Sequence, residues 1–251
     1  MIMKQRWVTF GLLVGSFLLL FPMLAFSGEG CRVVNAGIGG NNSSDLLKRL
    51  EADVLSHKPA LVIIGVGTND AINSRKSVPL PAFKAHLARL TGAIRAAGAE
   101  VLLLTPPPCH DPYVLQRHPA SFFGEVPPSE RVKLYRDAVV AFGREAGVPV
   151  VDLHALFQKA GSVGELAGSW IRNPRNSRSA DGVHPTATGY RKMADAIAPE
   201  VRRLQLAPGA VVVCFGDSIT FGTGMKGAGT ATGETYPARL LETLSSKADE
   251  P

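Results

Sequence analysis

The sequence predicts an α/β fold, one parallel sheet of five strands with helices on both faces. Two observations carry this. Short apolar runs alternate with helical patterns along the chain, as repeated βα units require. The run Ala60–Val66 is apolar throughout and ends at glycine, as a strand buried on both faces should be. Right-handed crossovers restrict how such units connect.

The elements follow in order. Arg32–Ala36 reads as the first strand, and Ser43–Ser56 as a helix with Leu46, Leu47, Leu50 and Val54 on one face. After the second strand, Ala60–Val66, the residues Phe83, Leu87, Leu90 and Ile94 recur at helical spacing. Glu100–Thr105 is the third strand, stopped by Pro106, Pro107 and Pro108. A helix carrying Val132, Tyr135, Val139 and Phe142 leads to a fourth strand, Val148–Leu153. The polar stretch Gln158–Ala180 reads as a loop insertion. A helix over Thr186–Leu204 presents Met193, Ile197 and Val201, and Gln205–Gly209 connects it to the fifth strand, Ala210–Phe215. A Gly/Thr-rich loop and a last helix, Thr235–Ser245, complete the series. No repeat and no second domain is visible.

The chain has 251 residues, 45% hydrophobic and 19% charged, enough for one domain with a sizeable core. Residues 1–27 read as a secretory signal peptide. Lys4 and Arg6 form its basic start, Val8–Phe21 its apolar run, and Ala25 and Ser27 the small residues before a cleavage point. An uncleaved membrane anchor is the rival reading, because Trp7–Ser27 is close to the roughly 20 residues that span a bilayer. Lipid attachment at Cys31 is disfavoured by Gly28-Glu29-Gly30, which puts a charge beside it. The remainder, 28–251, reads as one domain, with export to a periplasmic or extracellular compartment expected from the signal.

Net charge is +6, or +4 once Lys4 and Arg6 leave with the signal, and the excess is scattered. Nucleic-acid binding therefore has little support. The cysteines Cys31, Cys109 and Cys214 suggest no disulfide framework. Cys214 reads as a small buried hydrophobe, and pairing of Cys31 with Cys109 stays open. Cys109, His110, Asp111 and His118 match no familiar zinc spacing, so no metal is expected. His57, His86 and His154 read as helix-face or loop residues.

Four polar clusters lie past strand ends or at a helix entry, the edge where open α/β sheets bind ligands. They are Asn35–Gly40, Gly67–Asp70, Gly216–Thr220 and Asp181–Pro185. Ser218 is a candidate nucleophile, His184 its base and Asp181 the carboxylate that orients the imidazole. Gly40 N–H, the Asn69 amide and Ser218 N–H are candidate donors to an oxyanion. Asp217 reads as a turn-forming partner that shapes the serine loop. Trp170 and the 158–180 insertion are candidate walls of the acyl or alcohol pocket.

Each cluster alone is an ordinary turn. Together they resemble the four signature blocks of the GDSL/SGNH hydrolase family, whose name residues fall on Ser218, Gly40, Asn69 and His184. Thr105–Pro108 and Glu234–Leu240 extend the resemblance over nearly the whole mature chain. It implies a three-layer flavodoxin-like fold, no cofactor or metal, and hydrolysis of ester or thioester bonds in lipids, acylated sugars or aryl esters. A carbohydrate O-acetylesterase is the alternative enzyme. A catalytically silent envelope module binding sugar or lipid is the alternative of another class, and it requires a broken catalytic position.

One departure is large. The family's serine block comes first; here it comes last, with its strand and helix at 210–246. Circular permutation explains the order, joining the usual last helix to the usual first strand through Gln205–Gly209. The rival is exchange of the serine segment between two molecules. The expectation is a monomer in which the segment closes into its own sheet, with contact to a membrane only through an uncleaved signal.

Overall fold

The computed structural model describes residues 31–246, and the signal segment lies outside them. The first half runs β1 (Arg32–Gly37), α1 (Ser43–Asp53), β2 (Leu61–Gly65), α2 (Thr68–Ile72), α3 (Leu80–Ala96) and β3 (Glu100–Leu104). Two short helices, α4 (Asp111–Val114) and α5 (Ala120–Phe123), precede α6 (Pro128–Ala146) and β4 (Val150–Val151). The chain then passes through α7 (Leu153–Lys159), α8 (Pro174–Ser177) and α9 (Ala187–Arg203). It ends with β5 (Val211–Gly216), α10 (Ser218–Phe221) and α11 (Tyr236–Ser245).

All five strands are parallel, in the order β1-β5-β2-β3-β4. The last strand thus lies between the first two and pairs with both within one chain. Counted with β5 first, the order reads 2-1-3-4-5, the flavodoxin-like arrangement. Val213 and Phe215 of β5 face the core under α1, α3 and α6. Val212 and Cys214 face the opposite core, under α7, α9 and α11. All four side chains are fully buried. A one-residue slip would exchange these sets, so the register that places Ser218 is pinned from both faces.

The connector between α9 and β5 turns through left-handed backbone at Gln205 (φ 47°) and Gly209 (φ 75°). Its end is fixed by Arg32 N–H, which donates to Ala210 O at 2.9 Å. Two elements are shorter than the sequence predicts. The first helix stops at Asp53 before a 3₁₀ turn over Leu55–His57. The fourth strand keeps only Val150–Val151, because the Asp152 side chain accepts from Ala155 N–H and starts α7 at Leu153. The 158–180 stretch is also not wholly loop, since α8 begins at a capping box on Asn173.

Candidate active site

β5 delivers Ser218 to the C-terminal edge of the sheet. Asp217 caps the short α10, its carboxylate accepting from Ile219 N–H at 2.8 Å. That carboxylate is buried, and burial pushes its pKa up to about 7 against the Ile219 hydrogen bond. The turn needs a residue without a side chain just before it. A Cβ on Gly216 would collide with Gly65 O and Thr220 Oγ1. Arg49 ties the neighbouring strand ends together, donating to Ala36 O at 2.8 Å and Gly216 O at 2.7 Å. Its guanidinium also stacks over Phe215, 4.4 Å from the ring centroid.

His184 reaches Ser218 from the loop that enters α9. Its Nε2 lies 2.9 Å from Ser218 Oγ, and its Nδ1 lies 2.9 and 3.0 Å from the two Asp181 oxygens. Asp181 is held in turn by Val183 N–H at 3.0 Å and His184 N–H at 2.8 Å. Burial alone would raise this carboxyl. The hydrogen bond and charge of His184, with the two backbone donors, outweigh it and hold the pKa at about 2. Asp181 is therefore ionised and accepts from Nδ1–H, which leaves Nε2 as the acceptor for the serine proton.

The segment before the histidine loop acts as its clamp. Arg172 N–H donates to His184 O and Gly182 N–H donates to Arg172 O, both at 2.9 Å. The Arg172 guanidinium adds a contact to Asp181 at 3.3 Å. Trp170 sits in this clamp. Its ring packs edge-on against Phe157, with centroids 5.3 Å apart, and its carbonyl accepts from Thr186 N–H. These contacts are with the core and the α9 entry.

Gly40 and Asn69 border the same edge. Gly40 has φ +74°, a conformation glycine adopts without strain, in the turn after β1. Asn69 stands on α2, whose preceding Gly67 has φ +127°. One Asn69 Nδ2 hydrogen goes to Asn41 O at 2.9 Å, which locks the amide against the Gly40 turn and leaves its second hydrogen over. The N–H groups of Gly40 and Ser218 have no acceptor among the described residues. Asp70 braces the turn from beneath, accepting from Ser43 N–H at 3.0 Å and from Ser43 Oγ. Burial pushes its pKa up to about 6.

Arg49, Arg172 and the Asp70–Ser43 brace escaped the sequence reading. The one signal was Arg49, a charge between Leu46 and Leu50 on the apolar side of its helix. The three cysteines are free, and burial pushes the Cys109 thiol well up. Among the described residues no three of His, Cys, Asp and Glu group as metal ligands would. His86 lies on α3 with Nδ1 2.8 Å from Ser43 Oγ, and His154 is buried on α7. Among the described residues no helix is long and apolar enough to cross a membrane.

The model of the GDSL-like Lipase/Acylhydrolase family matches residues 19–192, a stretch that ends before β5. Esterase TesA of Pseudomonas aeruginosa is 30% identical over 203 residues, covering 80% of each chain. The acetylxylan esterase of Geobacillus stearothermophilus is 28% identical over 197 residues, 75% of this chain and 78% of that one. Among solved structures, the lipase/acylhydrolase from Enterococcus faecalis superposes with a TM-score of 0.51 at 26% identity, covering 67% of this chain and 74% of the other. With more than half its length matched by the family model, the chain belongs to the GDSL-like lipase/acylhydrolase family of serine ester hydrolases.

Proposed function

We propose that the protein is an exported esterase that works by a Ser-His-Asp acyl-enzyme mechanism, with its family motifs in circularly permuted order. One observation carries the mechanism: His184 Nε2 lies 2.9 Å from Ser218 Oγ while Asp181 occupies its other nitrogen. Ser218 Oγ attacks the ester carbonyl carbon as His184 takes its proton. Charge gathers on the carbonyl oxygen, where Ser218 N–H, Gly40 N–H and the spare Asn69 hydrogen serve as donors. The C–O bond breaks as His184 returns the proton to the leaving alcohol. Water then repeats the sequence on the acyl-enzyme and frees the acid.

The permuted order is supported by β5, which closes between β1 and β2 of its own chain. That closure favours a monomer over a swapped pair. Export rests on residues 1–27 as a signal, with cleavage after Ser27. The silent-module reading finds no broken catalytic position. Substrates are lipid, aryl or short-chain esters. A carbohydrate O-acetylesterase is the second reading, favoured by the likeness to acetylxylan esterase. Rates over 4-nitrophenyl esters of increasing chain length, set against acetate release from acetylated xylan, separate the two. Ser218→Ala and His184→Ala should each abolish hydrolysis of 4-nitrophenyl butyrate, and substantial turnover in either would refute the assignment.

A further inference from the structure

Beside the Gly40 turn lies an open cavity of about 580 Å³ that the hydrolytic step does not use. Gly40 and Asn73 form part of its wall. Asn73 Nδ2 donates to Asn69 Oδ1 at 3.2 Å, so this wall is continuous with the proposed oxyanion donors. The rest of the lining is basic apart from Gly39: Arg75 and Lys76 from the turn that Asn73 opens, with Arg117 and His118, and among the described residues no carboxylate lines the cavity. Arg117 also reaches the histidine loop, donating to Ala180 O at 3.3 Å, next to Asp181.

The charges are not spent on neighbours. Lys76 pairs with Asp45 at 3.1 Å, but neither Arg75 nor Arg117 joins an ion pair among the described residues. Ser74 N–H lies 3.4 Å from His118 Nδ1, and Ser74 Oγ lies 3.0 Å from it. Accepting there leaves the ring proton on Nε2. Burial, then the charges of Arg117 and Arg75, lower the His118 pKa, so the ring enters as a neutral N–H donor. Both guanidiniums thus act on one imidazole in a concavity of a single sign, which focuses the field on whatever enters. Guanidinium forks suit planar carboxylates and phosphates.

We propose that this cavity is an anion subsite of the esterase, taking a phosphate or carboxylate group carried by the ester substrate. The site that cleaves the ester is the Ser218 centre proposed above. The natural substrate class is then an acyl ester with an anionic group within one substrate length of the scissile bond, rather than an uncharged ester.

Two pairs of esters test this and distinguish the two anions. One is 1-butanoylglycerol 3-phosphate against 1-butanoylglycerol; the other is mono-4-nitrophenyl glutarate against 4-nitrophenyl butyrate. Calorimetric titration of the full chain carrying Ser218→Ala reads binding without turnover. In at least one pair the anionic member should bind about ten-fold more tightly at low salt, the size expected of one or two charge-assisted hydrogen bonds. The advantage should shrink as salt rises, and wild-type kcat/KM should show the same ratio. The ratio should fall to about one in Arg75→Gln/Arg117→Gln, and taking a ratio cancels any loss common to both esters. Equal affinities in both pairs would overturn the subsite, as would a preference that survives the double substitution. A wild-type enzyme that binds the anionic ester tightly yet cleaves neither member would instead refute the Ser218 reading.

Discussion

Replacing Asp181 by asparagine is the sharpest test of how the site works. The substitution keeps the size of the side chain but removes its charge and one acceptor. In the native loop one carboxylate oxygen, Oδ1, accepts from Val183 N–H, His184 N–H and His184 Nδ1 at 2.8–3.0 Å, and Oδ2 accepts from Nδ1 at 2.9 Å. Asparagine has a single oxygen, and the two backbone donors will claim it. Its NH₂ then faces Nδ1, which must become an acceptor. The imidazole proton shifts to Nε2 and points at Ser218 Oγ, where a base is needed. The wrong tautomer in such a triad costs about 10⁴ in kcat, equivalent to about 5 kcal/mol of barrier. The assay is kcat for 4-nitrophenyl butyrate near neutral pH, with a circular-dichroism melt to confirm folding. A folded variant that lost less than about ten-fold would refute the tautomer argument.

The remaining predictions are smaller. Asn69→Ala should lower kcat by about 10²–10³ through loss of one oxyanion donor while KM changes little; an unchanged kcat would remove Asn69 from the oxyanion site. Asp217→Asn should raise the melting temperature above neutral pH, because it keeps an oxygen for the Ile219 cap and removes a buried charge. The Asp217 pKa is raised in the fold to about 7, so the native aspartate is least costly when protonated, and stability falls as pH rises from the ordinary carboxylate range to about 7. The advantage of the asparagine should therefore vanish in acid, and a benefit of equal size at pH 4 and pH 8 would contradict it.

The strands and long helices were legible because each carries its own pattern. Phe83, Leu87, Leu90 and Ile94 repeat on one face of α3, and all four are buried. The polar groups of the candidate site were legible for another reason: Ser218, Gly40 and Asn69 sit in short clusters after strand ends, and His184 and Asp181 in one at the entry of α9. Failures came where the deciding partner is distant in the chain. Arg49 touches Gly216 across 167 positions, and nothing local marks that contact. The fourth strand was read too long because its apolar run continues into a residue pair that Asp152 turns into a helix start. The role of the Trp170 segment rests on hydrogen bonds to His184 and Gly182 that composition does not reveal.

The sequence alone determined the element types, the buried faces and which residues stand as candidates for nucleophile, base and orienting carboxylate, because periodicity and turn chemistry are local properties. Where in the sheet the serine strand sits was a question only the tertiary structure decided. A strand at the end of the chain can pair at an edge or in the middle, and its own residues are equally apolar in each case. The difference lies in partners: Val212–Phe215 are buried from both faces between β1 and β2, and that burial brings Ser218 to 2.9 Å from His184.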